Sequence, residues 1–150
     1  MLIGNRNSFG VQFYRDETQP GKMGYGKIWI NGKFIGVQED LIYLESYLGN
    51  TIKHILNSSP LDIDLTELSS EELYSCISNK SEFQYRIPST TFIDDFEIFS
   101  FLNNNKIAFL WKYFGNRSFH ELQNYPTELQ FEVIDKEIIK YTCQKALSEI

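Results

Sequence analysis

Apolar residues fall at alternate positions near the start of the chain: Phe9, Val11 and Phe13 are separated by Gly10 and Gln12 between Ser8 and Tyr14. That is the period of a strand with one buried face. The stretch from Arg15 to Gly24 is polar and holds Pro20-Gly21, which predicts an exposed connection. Two further β-rich runs, Lys27-Ile28-Trp29-Ile30 and Lys33-Phe34-Ile35, flank Asn31-Gly32. Both turn residues tolerate positive φ, so a type I′ hairpin is expected. The three strands together predict an antiparallel meander whose apolar face, with Phe9, Phe13, Ile28 and Ile30, needs covering.

A cover follows in the sequence. Leu41, Leu44, Leu48, Ile52, Ile55 and Leu56 lie close to a 3.6-residue period, and Asp40 stands where an N-cap would. Gly49-Asn50 interrupts this stripe, which leaves one helix or two open between Asp40 and Leu56. Ser69-Ser70-Glu71-Glu72 is a capping pattern ahead of Leu73, Cys76 and Ile77, predicting a short second helix. Phe83, Tyr85 and Ile87 alternate before Pro88. Phe96, Ile98, Phe99 and Phe101 then lead through Asn103-Asn104-Asn105 to the run from Ile107 to Phe114, a second hairpin. Leu129, Phe131 and Val133 alternate within a strand predicted from Glu128 to Ile134, after which Asp135 would cap a helix ending near Glu149. Ile138, Ile139, Thr142 and Ala146 are its expected inward positions. The reading is a single α+β domain over residues 1–150, with a mainly antiparallel sheet of about six to seven strands covered by two to three helices.

Length and composition agree with that. A chain of 150 residues buries about two-thirds of its unfolded surface and needs no disulfide or metal to fold. Twelve Phe and nine Tyr supply large ring areas for a core, which excludes a disordered chain. Cys76 and Cys143 are far apart and lack metal-ligand spacing, so buried thiols are expected rather than a disulfide. The first residues carry no basic segment ahead of an apolar one, and no apolar run approaches the roughly 20 residues of a membrane span. A cytoplasmic protein that does not engage a membrane is expected.

Charge narrows the partners. Fourteen Lys and Arg against twenty Asp and Glu give a net charge of -6, which argues against nucleic acid and favours a basic protein. Candidate chemistry is thin. His54 and His120 lie in no metal-binding pattern, and no glycine-rich phosphate loop, nucleophile elbow or dinucleotide fingerprint is present, so no cofactor or metal is expected. Asp94-Asp95 with Glu97 is the best carboxylate group, but neighbours in an extended segment point to opposite faces. Asp62, Asp64, Glu67, Glu71 and Glu72 form a second acidic stretch, partly at a helix start where carboxylates are favoured electrostatically. Both groups are candidate contacts for a basic partner. Among the aromatics, Tyr113, Tyr125 and Tyr141 are candidates for exposed contacts, since a phenol can pack its ring and keep its hydroxyl in water.

The opening Leu2-Ile3-Gly4-Asn5, with Phe9 and Phe13 and then Gly26-Lys27-Ile28-Trp29-Ile30-Asn31-Gly32-Lys33-Phe34-Ile35-Gly36, resembles an immunity-protein family of bacterial polymorphic toxin systems, the one numbered forty-two. The resemblance spans roughly the first third of the chain, with general layout beyond. It implies a small cytoplasmic protein that binds the C-terminal domain of a cognate toxin, in a setting such as contact-dependent growth inhibition, and shields the producing cell and its siblings. The matching motifs are structural, so no binding residue carries across. A monomer is the expected form. Two other classes stand beside this reading: a small hydrolase or ligand-binding enzyme using Asp94 and Asp95, and a structural adaptor.

Overall fold

The computed structural model describes residues 1–79 and 82–150, with the side chains of residues 82 and 83 outside the description. Strands β1 (Leu2–Gly4), β2 (Phe9–Arg15), β3 (Met23–Ile30) and β4 (Lys33–Ile35) form an antiparallel sheet in chain order, and β5 (Ile42–Tyr43) pairs with the start of β3. The three predicted strands are β2, β3 and β4. Asn31 and Gly32 have φ of 48° and 81°, the two left-handed conformations that a type I′ turn requires. Phe9, Val11 and Phe13 are buried, as are Ile28 and Ile30 opposite them. The alternation therefore reports a real buried face.

Helix α1 (Leu48–Leu56) covers that face. It begins seven residues later than the apolar stripe predicts, at Leu48 in place of Leu41, and Asp40 does not cap it. Backbone pairing explains the difference. Ile42 and Tyr43 are paired to Gly24 and Met23, and the Leu44 N–H donates to the Lys22 carbonyl at 2.9 Å, so these residues are already committed to the sheet. Ile42 and Leu44 are buried, a spacing of two that the helical stripe also accommodates. Gly49 lies inside the first turn of α1 instead of interrupting it. At Gly26 a β-carbon would stand 3.0 Å from Leu48 Cδ2, so the bare glycine lets the start of α1 settle onto β3.

Helix α2 (Ser70–Ser78) is capped as expected, the Glu72 N–H donating to Ser69 Oγ at 3.1 Å. The alternation of Phe83, Tyr85 and Ile87 does not make a strand: Glu82–Tyr85 is a single helical turn, α3, and the side chain of Phe83 lies outside the described residues. Arg86 and Ile87 then lie along the edge of β6, the Ile87 N–H donating to the Ile98 carbonyl. The central hairpin is β6 (Phe96–Asn103) and β7 (Lys106–Tyr113), and β8 (Gln130–Asp135) joins it in the order β6-β7-β8. Helix α4 (Lys136–Glu149) closes the chain. Asp135 holds the N-cap position but its carboxylate takes Lys106 Nζ at 2.6 Å instead of capping. Ile139, Thr142 and Ala146 face inward as predicted, whereas Ile138 is exposed and Cys143 takes the inward place.

The fold is thus α+β with two antiparallel sheets in place of one, eight strands among the described residues. The sheets meet across a shared core, with the rings of Phe9 and Phe109 stacked 6.0 Å apart and α1 and α4 packed alongside. The second sheet is buried on both faces. Its far side, with Phe99, Phe101, Ala108 and Leu110, is covered by α2 and by the segment from Leu61 to Leu68. That covering layer carries the larger group of candidate site residues. No helix among the described residues is long and apolar enough to cross a membrane.

Candidate functional site

The segment from Leu61 to Ser69 lies over the second sheet without joining it. The Leu61 N–H donates to the Leu102 carbonyl at 2.9 Å, and Asn103 Nδ2 donates to the Leu61 and Ile63 carbonyls at 2.9 and 2.8 Å. Held in this way, Leu61 is buried and Ile63, Leu65 and Leu68 pack against the same cluster. The residues between them must then face water. Asp62, Asp64 and Glu67 are exposed, and so are Glu71 and Glu72 in the first turn of α2. None of the five takes part in an ion pair among the described residues. Asp64 closes a local turn, accepting from the hydroxyl and the N–H of Thr66 at 2.6 and 3.0 Å, and these bonds hold its carboxyl below the usual carboxylate range. The result is a set of five exposed acidic side chains without an ion-pair partner among the described residues.

The other acidic group is split. Asp94, exposed, follows the 3-10 turn at Thr91–Ile93, and Asp95 beside it is half-buried. Loss of solvent, reinforced by the charges of Asp95 and Asp40, pushes the Asp94 carboxyl above its ordinary range. Glu97 is engaged elsewhere. It accepts from the Tyr74 hydroxyl at 2.5 Å and pairs with Arg86 Nη2 at 3.2 Å, in a cleft of about 130 Å³ that also includes Ser78 and Phe99. The hydrogen bond to Glu97, with burial and the nearby charge, raises the Tyr74 phenol to about 12. Glu97 thus ties α2 to β6.

His54 is half-buried in α1, which lowers its pKa through lost solvation, and exposed His120 donates its backbone N–H to Glu39 Oε2 at 3.2 Å. Both thiols are free. Cys76 is half-buried, and burial pushes the Cys143 thiol up to about 12. Tyr141 is exposed as expected for a contact residue, but Tyr113 and Tyr125 are buried. Their rings pack on each other and on Phe96, with centroids 5.1 to 5.5 Å apart.

A second polar arrangement gives no local sign in the sequence, because its members are 94 residues apart. Lys27 is buried on the outward side of β3 and is bonded to Glu121. The other oxygen of Glu121 accepts from the Gln38 and Glu39 backbone N–H groups, while the Glu39 carboxylate accepts from the His120 and Glu121 N–H groups. The two loops are therefore clasped reciprocally over one end of the first sheet.

The family model described as Imm42, immunity protein 42, matches residues 1–149. The chain belongs to this immunity-protein family. Its fold is similar to that of CdiI from Burkholderia dolosa AUO158, with a TM-score of 0.68 at 16% sequence identity over 100% of both chains. None of the curated proteins matches the immunity protein in sequence. The family match extends the hairpin resemblance of the first third to nearly every residue, including both acidic groups.

Proposed function

We propose that this immunity protein binds the C-terminal domain of a cognate bacterial toxin in the cytoplasm and covers its active site or substrate groove, protecting the producing cell and its siblings. The observation that carries the reading is the family match across residues 1–149. The likeness in fold to a protein named CdiI favours contact-dependent growth inhibition as the setting. Residues 1–150 act as one domain and as a monomer, by binding another protein and not by catalysis, without a membrane or nucleic-acid partner.

The charge of -6 and the exposed acidic residues Asp62, Asp64, Glu67, Glu71 and Glu72, which have no ion-pair partner among the described residues, favour a basic toxin, such as a nuclease whose cationic groove would otherwise hold phosphates. Asp94 and Asp95 add to the same field, and Glu97 contributes less because Tyr74 and Arg86 already engage it. The arrangement favours this over hydrolysis by Asp94 and Asp95, which are adjacent and differ in exposure.

The test is calorimetric titration of the purified protein with the toxin domain encoded immediately upstream. A complex of nanomolar order or tighter is expected. Changing Asp62, Asp64, Glu71 and Glu72 together to Lys, in a variant with an unchanged circular dichroism spectrum, should weaken it by about tenfold or more and flatten its salt dependence. No complex with the native protein would end the immunity reading. A full-strength complex with the charge-reversed variant would remove the acidic row from the interface.

A further inference from the structure

The outward face of the first sheet is not the polar surface that an antiparallel sheet usually turns to water. Register places Gln12 and Tyr14 of β2, Met23, Tyr25 and Trp29 of β3, and Tyr43 of β5 on it. At one end this face is closed. Lys27 lies 4.1 Å above the ring of Phe34 and is tied to Glu121, while the guanidinium of Arg6 lies 4.8 Å from the centre of Trp29. The chain thus already lays its own cations on the rings of this face.

The other end is open. Tyr14 and Tyr43 are 57% and 53% exposed, and half-buried Met23 and Tyr25 join them. Tyr14 and Tyr25 are stacked at 6.3 Å, and Tyr43 leans edge-on against Tyr47 at the same distance, so these rings are held in place by the sheet. Such rings lose little freedom on binding. Around them lie Asp16, whose bonds to Thr18 keep its carboxyl ionised and which has no ion-pair partner among the described residues, and two loose exposed pairs, Arg15–Glu17 at 3.7 Å and Lys22–Glu45 at 3.6 Å.

We propose that the open tyrosine end of this face, Tyr14, Tyr25 and Tyr43 with Met23, is the anchor surface for the toxin, and that it takes arginine or lysine side chains of a basic toxin surface against the ring faces with Asp16 at the rim. The choice of occupant follows from complementarity: electron-rich rings and a carboxylate without an ion-pair partner among the described residues, on a face where the protein's own cations make the same contact. The inference rests on the immunity reading and deepens it. The tyrosine end supplies the buried contacts on which dissociation depends, and the net charge of -6 favours encounter with a basic surface.

The test compares the native protein, the Tyr14→Ala/Tyr43→Ala variant and the Tyr14→Phe/Tyr43→Phe variant for affinity to the upstream-encoded toxin domain. Melting curves confirm that each is folded. Both positions are more than half exposed, so truncation leaves the core intact. The expected result is a loss of about 30-fold or more for the Ala pair, mainly through faster dissociation, with the Phe pair within about threefold of native. Native-like binding by the Ala pair overturns this surface while leaving the immunity reading intact. Failure of the native protein itself to bind removes both. Sedimentation showing a native dimer that the Ala pair converts to monomer would assign the face to a second copy of this chain and overturn the toxin assignment.

Discussion

The phenol oxygen of Tyr125 takes a hydrogen bond from Trp111 Nε1 at 2.9 Å and gives its own to the Phe34 carbonyl, so one atom joins β7, β4 and the loop before β8. Burial holds the phenol above the ordinary tyrosine range, and it stays protonated and able to donate. Tyr125→Phe keeps the ring but strands a buried indole N–H and a carbonyl. A loss of about 1–3 kcal/mol is expected, read as a lower urea midpoint at an unchanged slope. In the sequence Tyr125 reads as a contact residue because a phenol can pack its ring and keep its hydroxyl in water. Its partners are 14 and 91 residues away, and no local pattern reports them. The acidic residues are the opposite case. Asp62 and Asp64 alternate with Leu61, Ile63 and Leu65, so their exposure follows from spacing alone once the segment is held against a sheet. Glu67 shares the parity of Leu65 and is exposed because the chain turns there, its N–H donating to the Asp64 carbonyl.

The elements that the sequence specifies best are those closed by local chemistry. The β3–β4 hairpin is fixed by Asn31-Gly32, the β6–β7 hairpin turns at Asn104 with φ of 54°, and α2 starts where Ser69 caps Glu72. The start of α1 is different. Leu41 to Leu44 satisfies a helical and an extended period equally, and pairing with Met23 and Gly24, some 19 residues earlier, decides between them. Two sheets in place of one has the same origin, since pairing between distant strands leaves no mark on either. The clasp between Glu121 and Glu39 belongs to this class and has a measurable consequence. Glu121→Ala leaves Lys27 buried without a counter-charge and frees two backbone donors. A loss of about 3–5 kcal/mol is expected, with Glu121→Gln intermediate because its amide oxygen can still accept; thermal and urea unfolding of the two variants decide it.

Across the molecule, the two sheets and their helices present two different surfaces. One is the acidic layer from Asp62 to Glu72 over the second sheet, and the other is the tyrosine face of the first. The two face away from the common core on different sides, so the charge-reversed and tyrosine variants test separate surfaces. Fold class was readable from hydrophobic periods and turn residues, and the family from the resemblance of Leu2 to Asn5, Phe9, Phe13 and the run from Gly26 to Gly36. The tyrosine face was not, because Tyr14, Tyr25 and Tyr43 come together only through strand register. The measurement that bears most directly on the central claim is growth of cells that express the upstream-encoded toxin domain with or without this protein. The account predicts that toxin alone arrests growth and that co-expression of the native protein restores it. Continued arrest in the presence of abundant folded protein would contradict the immunity role.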